Sequence, residues 1–132
     1  MLHSLGCSCI IDNGIGRTIC RERGVKDLLR ILTETPALLA GSFIADKVVG
    51  KGAAAIMTAG GVAAVYADTI SRPALEMFSV YGITVTYSTC VPNIINRTGI
   101  DICPVERLCA DISTPAECIP LIQSFVNSFT QQ

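Results

Sequence analysis

The chain has 132 residues, 50% of them hydrophobic and 16% charged, with a net charge of −1. That length fits one domain, residues 1–132, able to bury roughly 65–70% of its unfolded surface around a single core. A charge so near balance excludes both a nucleic-acid footprint and a disordered acidic chain.

The opening segment MLHSLGCSCIIDNG lacks the basic flank, apolar stretch and small-residue cleavage site of a secretory peptide, and nothing approaches the roughly eighteen unbroken apolar residues of a membrane helix. A cytoplasmic protein with no membrane partner is expected. Seven cysteines, irregularly spaced, fit reduced and mostly buried thiols better than a disulfide framework.

In chain order, CSCII and GRTICR flank DNG, and a turn of that composition between β-prone runs predicts a hairpin. RGVKDLLRILTE places Val25, Leu28, Leu29 and Leu32 on one helical face, with Pro36 stopping the helix. GSFIA reads as a short extended segment. IADKVVGKGAAAIM reads as a helix from about Asp46, because Ala45, Val48, Val49, Gly52, Ala53 and Ile56 follow the spacing of a buried stripe. Lys47 and Lys51 then share another face of that helix, four residues apart and near its start, where like charges repel and the macrodipole favours anions.

GGVAAVYADTI is an apolar run of strand length, suited to a sheet covered on both faces. SRPALEMFSVYG reads as a helix capped by Ser71, with Ala74, Met77, Phe78 and Tyr81 inward and Gly82 at its end. ITVTYS is a further strand. CPVERLCADI predicts a short helix with Pro104 at its first position. TPAECIPLIQSFVNSF predicts the last one, with a capping-box start at Thr114, Pro115 and Glu117 and a kink or restart at Pro120. The alternation predicts an α/β fold, a three-layer α-β-α arrangement with a mixed sheet between helices on both faces.

Several catalytic signatures are missing. His3 is the sole histidine, so Ser-His-Asp, Cys-His and histidine-ligated zinc chemistry lack a base or ligand. GKG has neither the spacing nor the following Ser or Thr of a P-loop. Cys7 and Cys9 sit two apart, where a strand points both to one face, and read as packing. No metal or other cofactor is expected.

The stretches RGVKDLL, ADKVVGKGAA, YADTISRPAL, PNIINRTG and CPVE, in this order from about Leu5 to Ile112, resemble an uncharacterised bacterial family placed in the cytidine deaminase-like fold superfamily. The resemblance implies that fold and a pocket between the N-termini of two helices. In the active deaminases His-x-Glu or Cys-x-Glu begins one helix and Pro-Cys-x-x-Cys the next, together holding zinc and the general acid/base glutamate. The corresponding starts here, ADK and SRPAL, supply neither, so zinc-dependent nucleobase deamination is not expected.

What the implied pocket retains is Asp46, Lys47, Lys51, Asp68, Ser71 and Arg72. Two helix N-termini and three cations suit a small anionic or nucleotide-like ligand. The alternative is a solvated lysine face with Asp46 and Ser71 as plain N-caps. A second cluster, Asn93, Asn96, Arg97 and Asp101 in the loop VPNIINRTGIDICPVE, reads either as ligand-binding or as turn caps with an Arg97–Asp101 pair. Cys103, just before Pro104, is the candidate reactive thiol, favoured by the helix start and opposed by Glu106. Three functions follow: an anion-binding deaminase-fold protein without zinc, a thiol enzyme or redox sensor using Cys103, or an interaction module with a vestigial site, the sheet edges and last helix offering surfaces for a homo-oligomer.

Overall fold

The computed structural model describes residues 9–14, 16–20, 26–93, 109 and 114–130. Its elements are β1 (Cys9–Asp12), β2 (Arg17–Cys20), α1 (Lys26–Glu34), a 3-10 turn (Pro36–Leu38), β3 (Phe43–Val49), α2 (Lys51–Ala59), β4 (Ala64–Ser71), α3 (Arg72–Val80), β5 (Thr84–Val91) and α4 (Pro115–Thr130). The expected helix at Pro104 falls outside the described residues, except for Cys109, which is helical and buried.

The opening turn closes as its residues dictate. Asp12 Oδ1 accepts from the Gly14 N–H and Asn13 Oδ1 from the Gly16 N–H, each at 2.9 Å, and Gly14 takes φ +86°, a conformation that glycine adopts without strain. This sets β1 antiparallel to β2, from Cys9 opposite Cys20 to Asp12 opposite Arg17. The sheet order is β2-β1-β3-β4-β5, with β1 antiparallel to both its neighbours and β3, β4 and β5 parallel. The sheet is mixed, as expected.

Ile11, Ile44 and Val65 lie in one row on one face and join the main core with α1 to α4. Ile10 and Ala45 point the other way and, among the described residues, form a separate small cluster. From β2 to β3, β3 to β4 and β4 to β5 the chain always advances across the sheet in the same direction, so right-handed crossovers place α1, α2 and α3 on one side. α4 packs against α2 on that side. Among the described residues all helices therefore cover one face, and the third layer of the expected arrangement is not among them.

The boundary near Asp46 needs correcting. Residues 43–49 form a strand, not the start of a helix, and α2 begins only at Lys51 after Gly50. β3 lies between β1 and β4 and pairs with both, so its backbone groups are satisfied in the ladder rather than in a helix. Burial departs from the helical stripe as well: Val48, expected inside it, is 49% exposed, while Asp46, expected outside it, is buried. Asp46 is thus a buried strand residue, not an N-cap, and Lys47 and Lys51 never share a helical face.

α2 is the central helix. Its residues Gly52 to Met57 are all buried, which suits a helix enclosed by the sheet, α3 and α4 and explains its small side chains. At its end, a Cβ on Gly60 would lie 2.6 Å from Leu39 Cδ1, so the 3-10 turn region packs where only glycine leaves room. α3 follows expectation at its start and in its core residues Ala74, Met77 and Phe78, while Tyr81 is its C-cap and 44% exposed. α4 runs through Pro120 without restarting. Its expected capping box does not form, because Thr114 Oγ1 is buried without a hydrogen-bond partner.

Candidate anion site

β3 and β4 end side by side, Val49 opposite Ile70, and each runs into a helix on the same face. The N-termini of α2 and α3 are therefore neighbours at the carboxyl ends of parallel strands, where ligands bind in open α/β sheets. Lys51 and Arg72 hold the first position of each helix.

The two starts differ chemically. Ser71 Oγ accepts from the Ala74 N–H at 3.2 Å and caps α3. α2 follows Gly50, in extended backbone at φ −99°, ψ −179°, which has no side chain with which to cap. The Gly50 carbonyl accepts from the Ala54 N–H at 3.0 Å, so the helix is well formed, yet its N-cap residue makes no side-chain cap bond. Such a start favours an anion through both its donors and its dipole.

Asp46 lies on the helix face, opposite Ala67 of β4, and is 7% exposed. Its Oδ1 accepts from the Val48 N–H at 3.4 Å. Burial pushes its pKa from 3.8 up to about 7; the backbone N–H groups of Val48 and Lys47 oppose the rise and the charge of Asp68 adds to it. The carboxyl is therefore about half protonated near neutrality.

Lys47 and Asp68 lie elsewhere. Strand alternation from Asp46 and Ala67 turns both toward the opposite face, where the Tyr66 hydroxyl donates to Asp68 Oδ1 at 2.9 Å and its own pKa is raised by that bond. The structure thus groups Lys51, Ser71 and Arg72 at the helix starts with Asp46 on the same face, and places the sheet between them and Lys47 and Asp68. Asn96, Arg97 and Cys103 lie outside the described residues. The half-buried Lys51 also reaches toward α4, where its charge favours the thiolate of Cys118.

Sequence reasoning missed Gly50 as the helix boundary. The signal was present: two β-branched residues, Val48 and Val49, ending in a glycine read as well as a strand end as they do a helix stripe. A groove of about 370 Å³ between α1 and α4 shares no residue with this site; Asp27 and Arg30 on its rim pair with each other at 3.3 Å. Among the described residues no three His, Cys, Asp or Glu side chains are placed to hold a metal ion, and no helix is long and apolar enough to cross a membrane.

Fold and site together define an α/β protein with a five-stranded mixed sheet and a cation at the head of each of two adjoining helices. The chain belongs to the family TM1506, described as a domain of unknown function (DUF1893), which matches residues 1–126. It is similar to the crystal structure of a DUF1893 family protein (TM1506) from Thermotoga maritima, with 25% identity, a TM-score of 0.84, and 93% of this chain and 83% of that one covered. No curated protein matches it.

Proposed function

We propose that the protein binds a small anion, the phosphate or carboxylate of a nucleotide-like ligand, at the adjoining starts of α2 and α3. The observation that carries this reading is the start of α2, whose N-cap Gly50 makes no side-chain cap bond and which Lys51 heads, set beside α3 with Arg72 at its first position. On this reading the α2 N–H groups and Lys51 take the anion, Arg72 flanks it, and Ser71 keeps its own helix start occupied. A half-protonated Asp46 limits repulsion of the ligand from beneath.

The same reading takes the fold as a deaminase-like scaffold whose two helix starts, now at Lys51 and Arg72, carry neither His-x-Glu nor Pro-Cys-x-x-Cys. It places the protein in the cytoplasm, a setting with which the thiols of Cys9, Cys90, Cys109 and Cys118, none in a disulfide, agree.

The test is the thermal midpoint of the wild type and Lys51→Ala with inorganic phosphate, nucleosides, and nucleoside mono- and diphosphates. A ligand at one hundred times its dissociation constant adds about 2.7 kcal/mol to wild-type stability. Stabilisation by phosphates, absent with nucleosides and lost in Lys51→Ala, supports the site. A wild type indifferent to every phosphate would overturn it.

A further inference from the structure

The two edges of the sheet are built differently. β2 closes one side with four residues, headed by Arg17, whose guanidinium pairs with Asp12 at 3.6 Å. Short strands and charged side chains are what keep an edge from pairing with another chain. β5 closes the other side with eight residues, Thr84–Val91, about 27 Å of strand, and has neither protection. It follows β4 in one register, from Thr84 opposite Ala64 to Val91 opposite Ser71, with no inserted residue to bend it and no proline before Pro92. Among the described residues β5 pairs with β4 alone, and Thr84, Thr86, Tyr87, Ser88 and Thr89 are exposed. A row of backbone donors and acceptors thus runs along its outer edge, the feature to which a further strand adds.

Charge and exposed apolar surface narrow the partner. From Met77 to Asn96 the sequence holds no Asp, Glu, Lys or Arg, in a chain of which 16% is charged. A foreign strand can complement a charged edge with opposite charges. A second copy set across a two-fold axis cannot complement an edge of one sign, because each charge then meets its like. An edge with no charge at all therefore favours a second copy of itself. Three of the seven large apolar side chains exposed among the described residues also belong here: Val80 and Tyr81 at the end of α3, and Tyr87, which alternation from the core-facing Val85 puts on the helix face of β5.

We propose that the protein forms a two-fold dimer by antiparallel pairing of β5 with β5 of a second copy, which joins the two five-stranded sheets into one. With the axis near the middle of the strand, Tyr87 meets its own copy across the seam, threonine and serine side chains pair on either side of it, and Val80 and Tyr81 flank the contact on the helix face.

Sedimentation of the full chain at concentrations up to about 1 mM should show a monomer–dimer equilibrium. Tyr87→Lys and Tyr87→Glu should each sediment as folded monomers, and mixing the two should restore the dimer, since only then do opposite charges meet at the seam. Ile19→Lys, on the β2 edge, should leave the equilibrium unchanged. Should the Tyr87 variants fail to fold, amide exchange of the wild type decides: β5 amides should exchange more slowly as concentration rises, while those of β2 do not change. A wild type that is monomeric throughout, or a dimer indifferent to Tyr87→Lys, would overturn the proposal, and the monomer would leave this edge to a strand of a different protein.

Discussion

β3 with α2 and β4 with α3 are consecutive units of one architecture, a parallel strand running into a helix on the same face, and they differ at the joint. β4 hands over to α3 through Ser71, whose hydroxyl meets the Ala74 N–H, with Pro73 in the first turn. β3 hands over to α2 through Gly50, which meets nothing with a side chain. One joint is complete within the protein. The other has no side-chain cap from its N-cap residue. The strands differ too: in the row where β4 presents Ala67 to the core, β3 presents Asp46. Both departures from regular packing fall in the same unit, the pattern expected where a fold carries a function at some cost in stability.

The largest contrast to break is at Asp46. Its pKa is about 7 in the fold against 3.8 ordinarily, so folding favours the protonated form. Its contribution is fully present below about pH 4, is lost as pH rises to about 7, and is constant above that. At about 1.4 kcal/mol for each pH unit, the gap amounts to about 4 kcal/mol as an upper figure. Denaturant melts of wild type and Asp46→Asn from pH 4 to pH 8 check this: the variant should lose the downward slope and gain stability relative to wild type at the alkaline end. Parallel curves for the two proteins would mean that the carboxyl is solvated.

Ligand-induced stabilisation comes next, at about 2.7 kcal/mol for a saturating phosphate. Lys51→Ala should abolish it, Arg72→Ala should weaken it, and Lys47→Ala, on the far face, should leave it unchanged. Equal losses for Lys47 and Lys51 would contradict the separation of the two lysines by the sheet. At the capped joint, Ser71→Ala should cost about 1 kcal/mol in the absence of ligand, read from the shift of the unfolding midpoint. The smallest effect sharpens the comparison most. Gly50→Ser offers α2 the cap it lacks, at a backbone φ that serine adopts readily, and should add a few tenths of a kcal/mol to the free protein while lowering its affinity for phosphate. Tighter phosphate binding in Gly50→Ser would show that the α2 N–H groups are not where the anion sits.

Much of the fold was legible because its signals are local. The DNG turn, the apolar face of α1 in Leu28 and Leu29, and the Ser71 start and Gly82 end of α3 each act through neighbours within a few residues, and the structure places all of them as the sequence implies. The candidate site was half legible: Lys51 and Arg72 do head adjoining helices, but Asp46 and Lys47 belong to a strand and point to opposite faces.

By itself, then, the sequence determined an α/β fold with a hairpin entry, a mixed sheet and the capped start of α3, because composition, turn chemistry and caps act at short range. Tertiary structure decided the rest. Residues 43–49 became a strand because β1 and β4 flank them and take up their backbone hydrogen bonds, a pairing that no window along the chain can register. The same pairing turned Asp46 into the core and Lys47 away from it, since a change from helical to strand period reassigns the face of every side chain.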